Sequence, residues 1–396
     1  MCNILLVDMN SFYASVHQAL DSSLLGKPVV VCGDPQKRHG IVLAASYEAK
    51  RYGIKTAMPK WEAQSLLREA IFIQPDYKQY LSFSTRIINI LRDYSPLVEQ
   101  FSIDEAYVDV SGTQSLFGSN IDIAKKIKTQ IYEQLGILCS VGIGPNKLVA
   151  KMAAELVKPD GLTVITEKDV KEKLWPLPIK DLFGVGSRTE KKLRNLGVHT
   201  IGNLAQYPVE ILQKKFGVVG QRLCLSANGI DYSQVNPNSH SNVKSIGNQL
   251  TLRHDYANEE IKVAILDLTE KVAYRVRQGG YAGKTITLVL RDPDFITHSW
   301  SGSLGEPTDI TEEILTMAIK LFENHWSKGQ KVRLVGVSVS NLQKKQYEQL
   351  DLFKSKENHR RLNRTCDQIR QKFGNNSIVR CTSLTENGIF NDIKQS

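Results

Sequence analysis

No stretch of these 396 residues approaches the ~18 consecutive apolar positions that a membrane-crossing helix needs. The sequence therefore predicts no membrane partner. Cysteine is scarce: six residues, at positions 2, 32, 139, 224, 366 and 381, with no C-x-x-C spacing and no Cys/His pairing. That argues against a zinc site and a disulfide framework and suits a reducing cytoplasm. The opening MCNILLVDMNSF has no basic segment and reaches an acid at Asp8, so it is not expected to act as a secretion signal. Hydrophobic residues make up 41% and charged residues 23%, which excludes a disordered, collagen-like or low-complexity chain. A chain of this length suggests roughly two to four domains.

Charge is unevenly spread. Residues 1–166 carry 17 basic and 16 acidic side chains, 167–233 carry 11 and 7, and 234–396 carry 23 and 18. Nine of the ten net positive charges thus lie behind residue 166. A near-neutral front and a basic back fit a back half that handles a polyanion, or a soluble surface rich in lysine.

The front half alternates strands and helices. Short apolar runs at Ile4–Val7, Pro28–Cys32, Ile41–Ala45, Leu138–Ile143 and Leu162–Ile165 predict buried strands. Tyr47–Tyr52, Tyr80–Tyr94 and Ile121–Leu135 have helical spacing, and Leu97–Val110 alternates like a strand or hairpin. This is the pattern of a mixed-sheet α+β domain. Residues 167–233 become short helices punctuated by glycine, and 234–245 is a polar linker. From 246 to 341 the order is βαββαβ, with helices at Ile261–Val276 and Ile310–Trp326. The tail 342–396 carries one further helical stretch, His359–Phe373, and no domain of its own.

Asp8 ends a buried strand, and Phe101–Asp109 places Asp104 and Glu105 side by side in a strand-like segment. Charge inside a sheet is costly unless it is paired or metal-bound. Period two sends neighbouring side chains to opposite faces, so a shared site requires a turn or bulge here. The residues alone leave two readings open: an edge strand with solvated acids, or a metal site. Tyr47, Lys50 and Arg51 open a helix, and Lys147, Lys151 and Lys158 follow the turn Gly142–Asn146. Acids for a divalent cation, with lysines and a tyrosine for phosphates, describe phosphoryl transfer.

Asp8-Met9-Asn10-Ser11-Phe12-Tyr13-Ala14-Ser15-Val16, Ser46-Tyr47-Glu48-Ala49-Lys50, Ser102-Ile103-Asp104-Glu105-Ala106, Gly142–Lys147 and Lys158-Pro159-Asp160-Gly161 occur in this order. Together they resemble the Y-family DNA polymerases, the DinB/UmuC translesion enzymes, over residues 1 to about 345. The resemblance implies a multidomain α+β, right-handed polymerase: a mixed-sheet palm (1–17 and 77–166), small fingers (18–76), an all-helical helix-hairpin-helix thumb (167–233), the linker, and a βαββαβ little finger (246–345). Asp8, Asp104 and Glu105 would be catalytic and would hold two Mg²⁺ ions with the backbone carbonyl of Met9. Tyr13, Tyr47, Lys50 and Lys158 would bind the nucleotide, with Tyr13 as the steric gate against a ribose 2′-hydroxyl. Two departures stand out. His17 stands where the family usually has Glu, with little effect expected on the chemistry, and Lys50 where it usually has Arg, which loses a bidentate fork.

Leu182–Leu193 is a glycine turn leading into a basic helix, similar to a helix-hairpin-helix. Gly184, Gly186, Arg188 and Lys191 would meet DNA phosphates there. Arg253, Arg275, Arg277, Lys284, Arg291, Lys331 and Arg333 give the βαββαβ module its charge, and most are expected on phosphates. In the tail, Gln349, Leu350, Leu352 and Phe353 resemble the short motif by which bacterial polymerases dock on the sliding clamp, the β subunit. The resemblance implies a monomeric, cytoplasmic, low-fidelity DNA polymerase of the DNA-damage (SOS) response. It would add dNTPs to primer-template DNA, bypass lesions and lack a proofreading exonuclease. Two rivals are an inactive DNA-binding accessory, which the three intact acids oppose, and a two-metal nuclease, which has no use for a sugar gate.

Overall fold

The computed structural model describes residues 3–34, 40–239, 243–344, 355–385 and 388. The chain divides into two units, 1–241 and 242–396. The division falls inside the polar stretch 234–245, yet the first residues of that stretch are held down. Val235 is buried beside Leu6 and Tyr107, and the Asn236 N–H donates to Glu99 at 2.8 Å.

The first unit contains β1 (Ile4–Met9), β2 (Val29–Cys32), β3 (Val42–Ala45), β4 (Ile71–Ile73), β5 (Val98–Gln100), β6 (Glu105–Asp109), β7 (Cys139–Gly144) and β8 (Leu162–Val164). They form a five-stranded sheet ordered β5-β6-β1-β7-β8 and a three-stranded sheet ordered β3-β2-β4. β1 runs antiparallel to both neighbours, with Asp8 opposite Glu105 on one side and Ser140 on the other. The β7–β8 and β2–β4 pairs are parallel, so both sheets are mixed.

Alternation along β1 decides what the large sheet buries. Leu5, Val7 and Met9 enter a core shared with Phe83, Ile87 and Leu91 of the helix Tyr77–Tyr94 and with Ile123, Ile127 and Ile131 of the helix Asn120–Leu135. Leu6 packs with Tyr107, Ala150 and Ala154, under the helix Lys147–Leu156. Asp8 shares the Leu6 face by period two. Gly142 lies opposite Leu6. A Cβ there would stand 2.0 Å from the Ala150 carbonyl oxygen and 2.3 Å from the Ala154 nitrogen. Bare backbone at Gly142 and Gly144 is what lets this helix settle onto the sheet.

The small sheet packs Val30, Val42 and Ala45 against Ala49, Ile54 and Ala63. Residues 167–233 are helical, with Ser187–Arg194, Ile201–Ala205, Val209–Phe216 and Val218–Ala227 around Leu174, Leu193, Leu204, Leu212 and Leu223. As the glycine punctuation predicts, no strand longer than the single Pro178–Thr200 bridge occurs there.

The second unit has β9 (Ser245–Tyr256), β10 (Tyr281–Arg291), β11 (Thr297–Thr308) and β12 (Val332–Lys344), ordered β11-β10-β12-β9. The helices Glu259–Gln278 and Thr311–His325 pack through Ile265, Leu268, Val272, Ile314 and Leu321 on Ile286, Leu288, Val335 and Val337 of the sheet. The βαββαβ order is the one the sequence predicts. The tail helix Ser355–Phe373 joins this unit through charge. Arg277 meets Asp367 at 2.6 Å, Arg370 and Arg380 reach Glu270 at 2.9 and 2.7 Å, and the Ser383 hydroxyl donates to buried Asp267. The phosphate expectation is therefore corrected at Arg277, which is committed to Asp367 because a buried carboxylate must be paired. Arg275 is exposed and donates to the Gly247 carbonyl at 3.0 Å.

Gly142→Ala should cost about 3 kcal/mol or more of folding stability, because its Cβ meets backbone rather than a movable side chain. Urea unfolding of the two proteins checks this. A change below about 1 kcal/mol would mean the helix can lift without penalty.

Candidate active site

A cleft of about 480 Å³ opens where β1 ends. Its lining includes Asp8, Met9, Tyr13, Tyr47, Lys50, Asp104, Glu105, Lys151 and Lys158. Every acid, the Met9 backbone and all four nucleotide-site candidates singled out from the sequence thus share one cavity.

Local structure explains how adjacent acids reach the same place. The chain turns tightly before β6, with the N–H groups of Phe101 and Ser102 both donating to the Glu105 carbonyl at 3.0 and 3.2 Å. Asp104 sits in that turn, its carbonyl accepting from the Met9 N–H at 2.9 Å and its carboxylate from the Ser102 hydroxyl. Glu105 is the first residue of β6, opposite Asp8. The turn required by the period-two argument is present.

Tyr47 and Lys50 lie on the short helix Tyr47–Lys50, which begins at a buried serine. Ser46 Oγ accepts from the Ala49 N–H at 3.4 Å and from the Val29 N–H at 3.1 Å, tying the turn to β2. Lys50 Nζ donates to Ser11 at 2.8 Å and lies 4.5 Å from the centre of the Tyr47 ring. Burial lowers the Lys50 pKa and raises that of Tyr47.

Two lysines neutralise two of the acids. Lys158 Nζ lies 3.0 Å from Asp8 and 3.0 Å from Glu155. Lys151 Nζ lies 2.6 Å from Glu105, with only about an eighth of either side chain exposed. Burial nonetheless outweighs Lys158 and lifts the Asp8 pKa to about 6. Lys158 is pulled down by burial, but Asp8 and Glu155 more than offset this and raise it overall.

Lys151, which the sequence groups with the phosphate lysines but not with the nucleotide-site residues, is the one paired with Glu105. The usable signal was its i, i+4 spacing from Lys147 on a helix opened by an Asn146 cap. Lys147 itself does not line the cleft: both Glu99 oxygens accept from it, at 3.0 and 2.9 Å.

Among the described residues, no three acidic, histidine or cysteine side chains converge as a ready-made metal cage. The lysine pairings account for that, since Asp8 and Glu105 turn toward ammonium groups. The donor set still fits a hard divalent cation. Three carboxylates and the Met9 backbone supply only oxygen, with no competing thiolate or imidazole in the lining.

The DNA-site candidates lie elsewhere. Gly184 adopts φ +91°, open to its surroundings, and Gly186 precedes the helix Ser187–Arg194, on which Arg188 and Lys191 are exposed. In the second unit Arg253 is exposed, and the Arg333 guanidinium lies 4.6 Å from the centre of the Phe295 ring. Gln349, Leu350, Leu352 and Phe353 lie outside the described residues.

The chain matches the impB/mucB/samB family over residues 7–155, an IMS family HHH motif over 167–198, and the impB/mucB/samB family C-terminal domain over 243–352. It is 55% identical to the DNA polymerase IV of Pelotomaculum thermopropionicum, over 99% of this chain and 98% of that one. It is 41% identical to a DNA polymerase IV of Bacillus subtilis, over 97% and 95% of the two chains. Among solved structures, a Y-family DNA polymerase chimera covers 85% of this chain and 98% of its own, at 29% identity and a TM-score of 0.75. A Dbh ternary complex gives the same coverage at 28% identity and a TM-score of 0.61.

The Asp8 shift has a measurable sign. With its folded pKa near 6 and its ordinary value 3.8, the folded state binds the extra proton between those limits. Its stability contribution is complete below the lower value and lost as pH rises through the upper one. In chelator-treated protein, Asp8→Asn should therefore be more stable than wild type by about 1–2 kcal/mol at pH 7.5. That gain should shrink as pH falls below 6 and vanish near the ordinary value, as followed by thermal melting. A gain that does not change with pH would place its origin outside this carboxyl.

Proposed function

The chain belongs to the impB/mucB/samB family of Y-family DNA polymerases, and on that premise we propose that Asp8, Asp104 and Glu105 form its catalytic centre with two Mg²⁺ ions. Membership makes it a DNA-directed DNA polymerase of the translesion type that depends on divalent metal and takes DNA and nucleotides as substrates. The observation that carries the residue assignment is the cleft itself, where three carboxylates and three lysines line one cavity at the end of β1.

In this reading Asp8, Asp104, Glu105 and the Met9 carbonyl hold the ions. The bound ions supply acidity to the primer 3′-hydroxyl and neutralise charge on the triphosphate and on the departing pyrophosphate. Lys158 exchanges its contact with Asp8 for the phosphates, so that no buried charge is left unpaired in either state. Lys50 and the Tyr47 hydroxyl bind the same group from the fingers side, Lys50 as a point charge rather than a fork. The Tyr13 ring stands at the cleft wall and excludes a 2′-hydroxyl. Gly184, Gly186, Arg188, Lys191, Arg253 and Arg333 hold the DNA backbone, which positions the duplex without reading sequence. Gln349, Leu350, Leu352 and Phe353 dock on the sliding clamp, which would give a monomeric cytoplasmic enzyme its processivity. The palm, fingers, thumb and little finger occupy the residue ranges given above. The accessory-protein reading needs the loss of an acid, and all three line the cleft.

Primer extension on a primed template with dNTPs and Mg²⁺ tests this assignment. Asp104→Ala should lower the rate by about 10³-fold or more, the scale of losing several kcal/mol of charge stabilisation. Extension by Asp104→Ala at the wild-type rate would move the metal site elsewhere, and shortening of the primer by wild type would favour the nuclease. Replacing Leu352 and Phe353 by alanine should leave extension unchanged without the clamp and abolish its stimulation by the clamp.

A further inference from the structure

The helix Phe12–Leu20 presents Tyr13 and His17 one turn apart, and the helix Tyr77–Tyr94 brings Tyr77 and Tyr80 against them. The Tyr13 and Tyr80 rings lie face to face, 4.0 Å between centroids and 8° from parallel. Tyr77 closes the group edge-on, 6.2 Å from Tyr13 and 5.8 Å from Tyr80. Tyr80 is wholly buried, and its hydroxyl lies 2.8 Å from His17 Nε2. The imidazole meets the Tyr80 ring edge-on at 5.7 Å and 86°.

A stacked pair resists separation, but in-plane sliding costs little, because dispersion has no preferred direction within the contact plane. Two groups hold the far end of the buried Tyr80 ring: His17 Nε2 at 2.8 Å and the Asp76 backbone, which also hydrogen-bonds the hydroxyl. Tyr13 has the cleft as its other neighbour, so its distance from a bound sugar is set by the ring behind it. Burial keeps the imidazole toward its neutral form, able to accept the Tyr80 proton.

We propose that His17, through Tyr80, is a positioning residue for sugar selection: it fixes the platform that sets how far the Tyr13 ring projects into the cleft. This rests on the reading of Tyr13 as the sugar gate. It also gives His17 a role despite its distance from the reacting atoms. Glutamate, the residue the resemblance leads one to expect here, would accept the same phenolic proton, so the requirement at position 17 is an acceptor.

The test is the ratio of kcat/KM for dNTP to that for the matching rNTP opposite one template base. Tyr13→Ala should collapse the ratio by about 100-fold or more, and so tests the gate itself. His17→Leu and Tyr80→Phe should each lower it about 5- to 20-fold, while kcat/KM for dNTP stays within about threefold. The double variant should be no worse than Tyr80→Phe alone, which already breaks the His17 bond along with the hydroxyl's contact to the Asp76 backbone. His17→Glu should keep the wild-type ratio. If Tyr13→Ala loses selectivity but Tyr80→Phe and His17→Leu keep it, the platform has no role. If both variants lose dNTP and rNTP activity in proportion, the contact only holds the fold and the proposal fails. If Tyr13→Ala itself keeps the ratio, the gate reading is what fails. Tyr80→Phe keeps the ring and its packing, so it serves as the folded variant should His17→Leu not fold.

Discussion

The close approach of the helix Lys147–Leu156 to the large sheet is the constraint on which the cleft at the end of β1 depends. It exists because Gly142 and Gly144 offer no side chain to the helix backbone. At that distance Lys151 reaches Glu105 and Ala150 seals against Leu6. One side chain more between the layers would leave the carboxylate without its cation. The same helix also ties the large sheet to the helical segment 167–233: Asn146 donates to the Gly229 carbonyl at 2.8 Å while its own oxygen caps the first turn. Lys147 holds Glu99, which in turn receives the N–H of Asn236.

Charge neutralisation follows from that packing. Three carboxylates in one cleft repel one another and lose water, and the chain meets this with lysines drawn from one stretch of sequence. Lys151 and Lys158 bind acids in this state, and Lys50 rests on Ser11. A site arranged in this way holds Asp8 and Glu105 on lysine partners that a bound cation would have to displace. Its cost is visible in Asp8, whose pKa burial lifts to about 6 despite the Lys158 partner.

Much of this was legible in the sequence. Apolar runs marked β1, β2 and β7, because buried strands leave no room for polar alternation, and they marked β3 and β8 although those two strands are only partly buried. The order of elements in the second unit followed from two helical periods set between alternating segments. The cleft residues were legible as motifs, and period two even required the turn at Ser102–Asp104. What stayed hidden involved pairings across long separations. Nothing local says that Arg277 meets Asp367 or that Arg380 meets Glu270, so Arg277 read as a phosphate ligand and the tail as an appendage. Tyr80 reads as one apolar position of an amphipathic helix, and its stack on Tyr13 joins residues 67 positions apart in the chain. Lys151 was visible as a charge but not as a partner, since its role depends on how near the helix stands to the sheet.

The arginine stitching of the tail changes what it means to shorten this protein. A chain stopped after Lys344 would strip both Arg370 and Arg380 from Glu270 and Asp367 from Arg277. The domain left behind would carry buried charges that had lost their partners. Such a truncation would lower its solubility and its resistance to proteases before it said anything about the segment removed. In engineering terms the C-terminus is a fastener rather than a tether, and fusions or tags belong beyond it rather than in place of it.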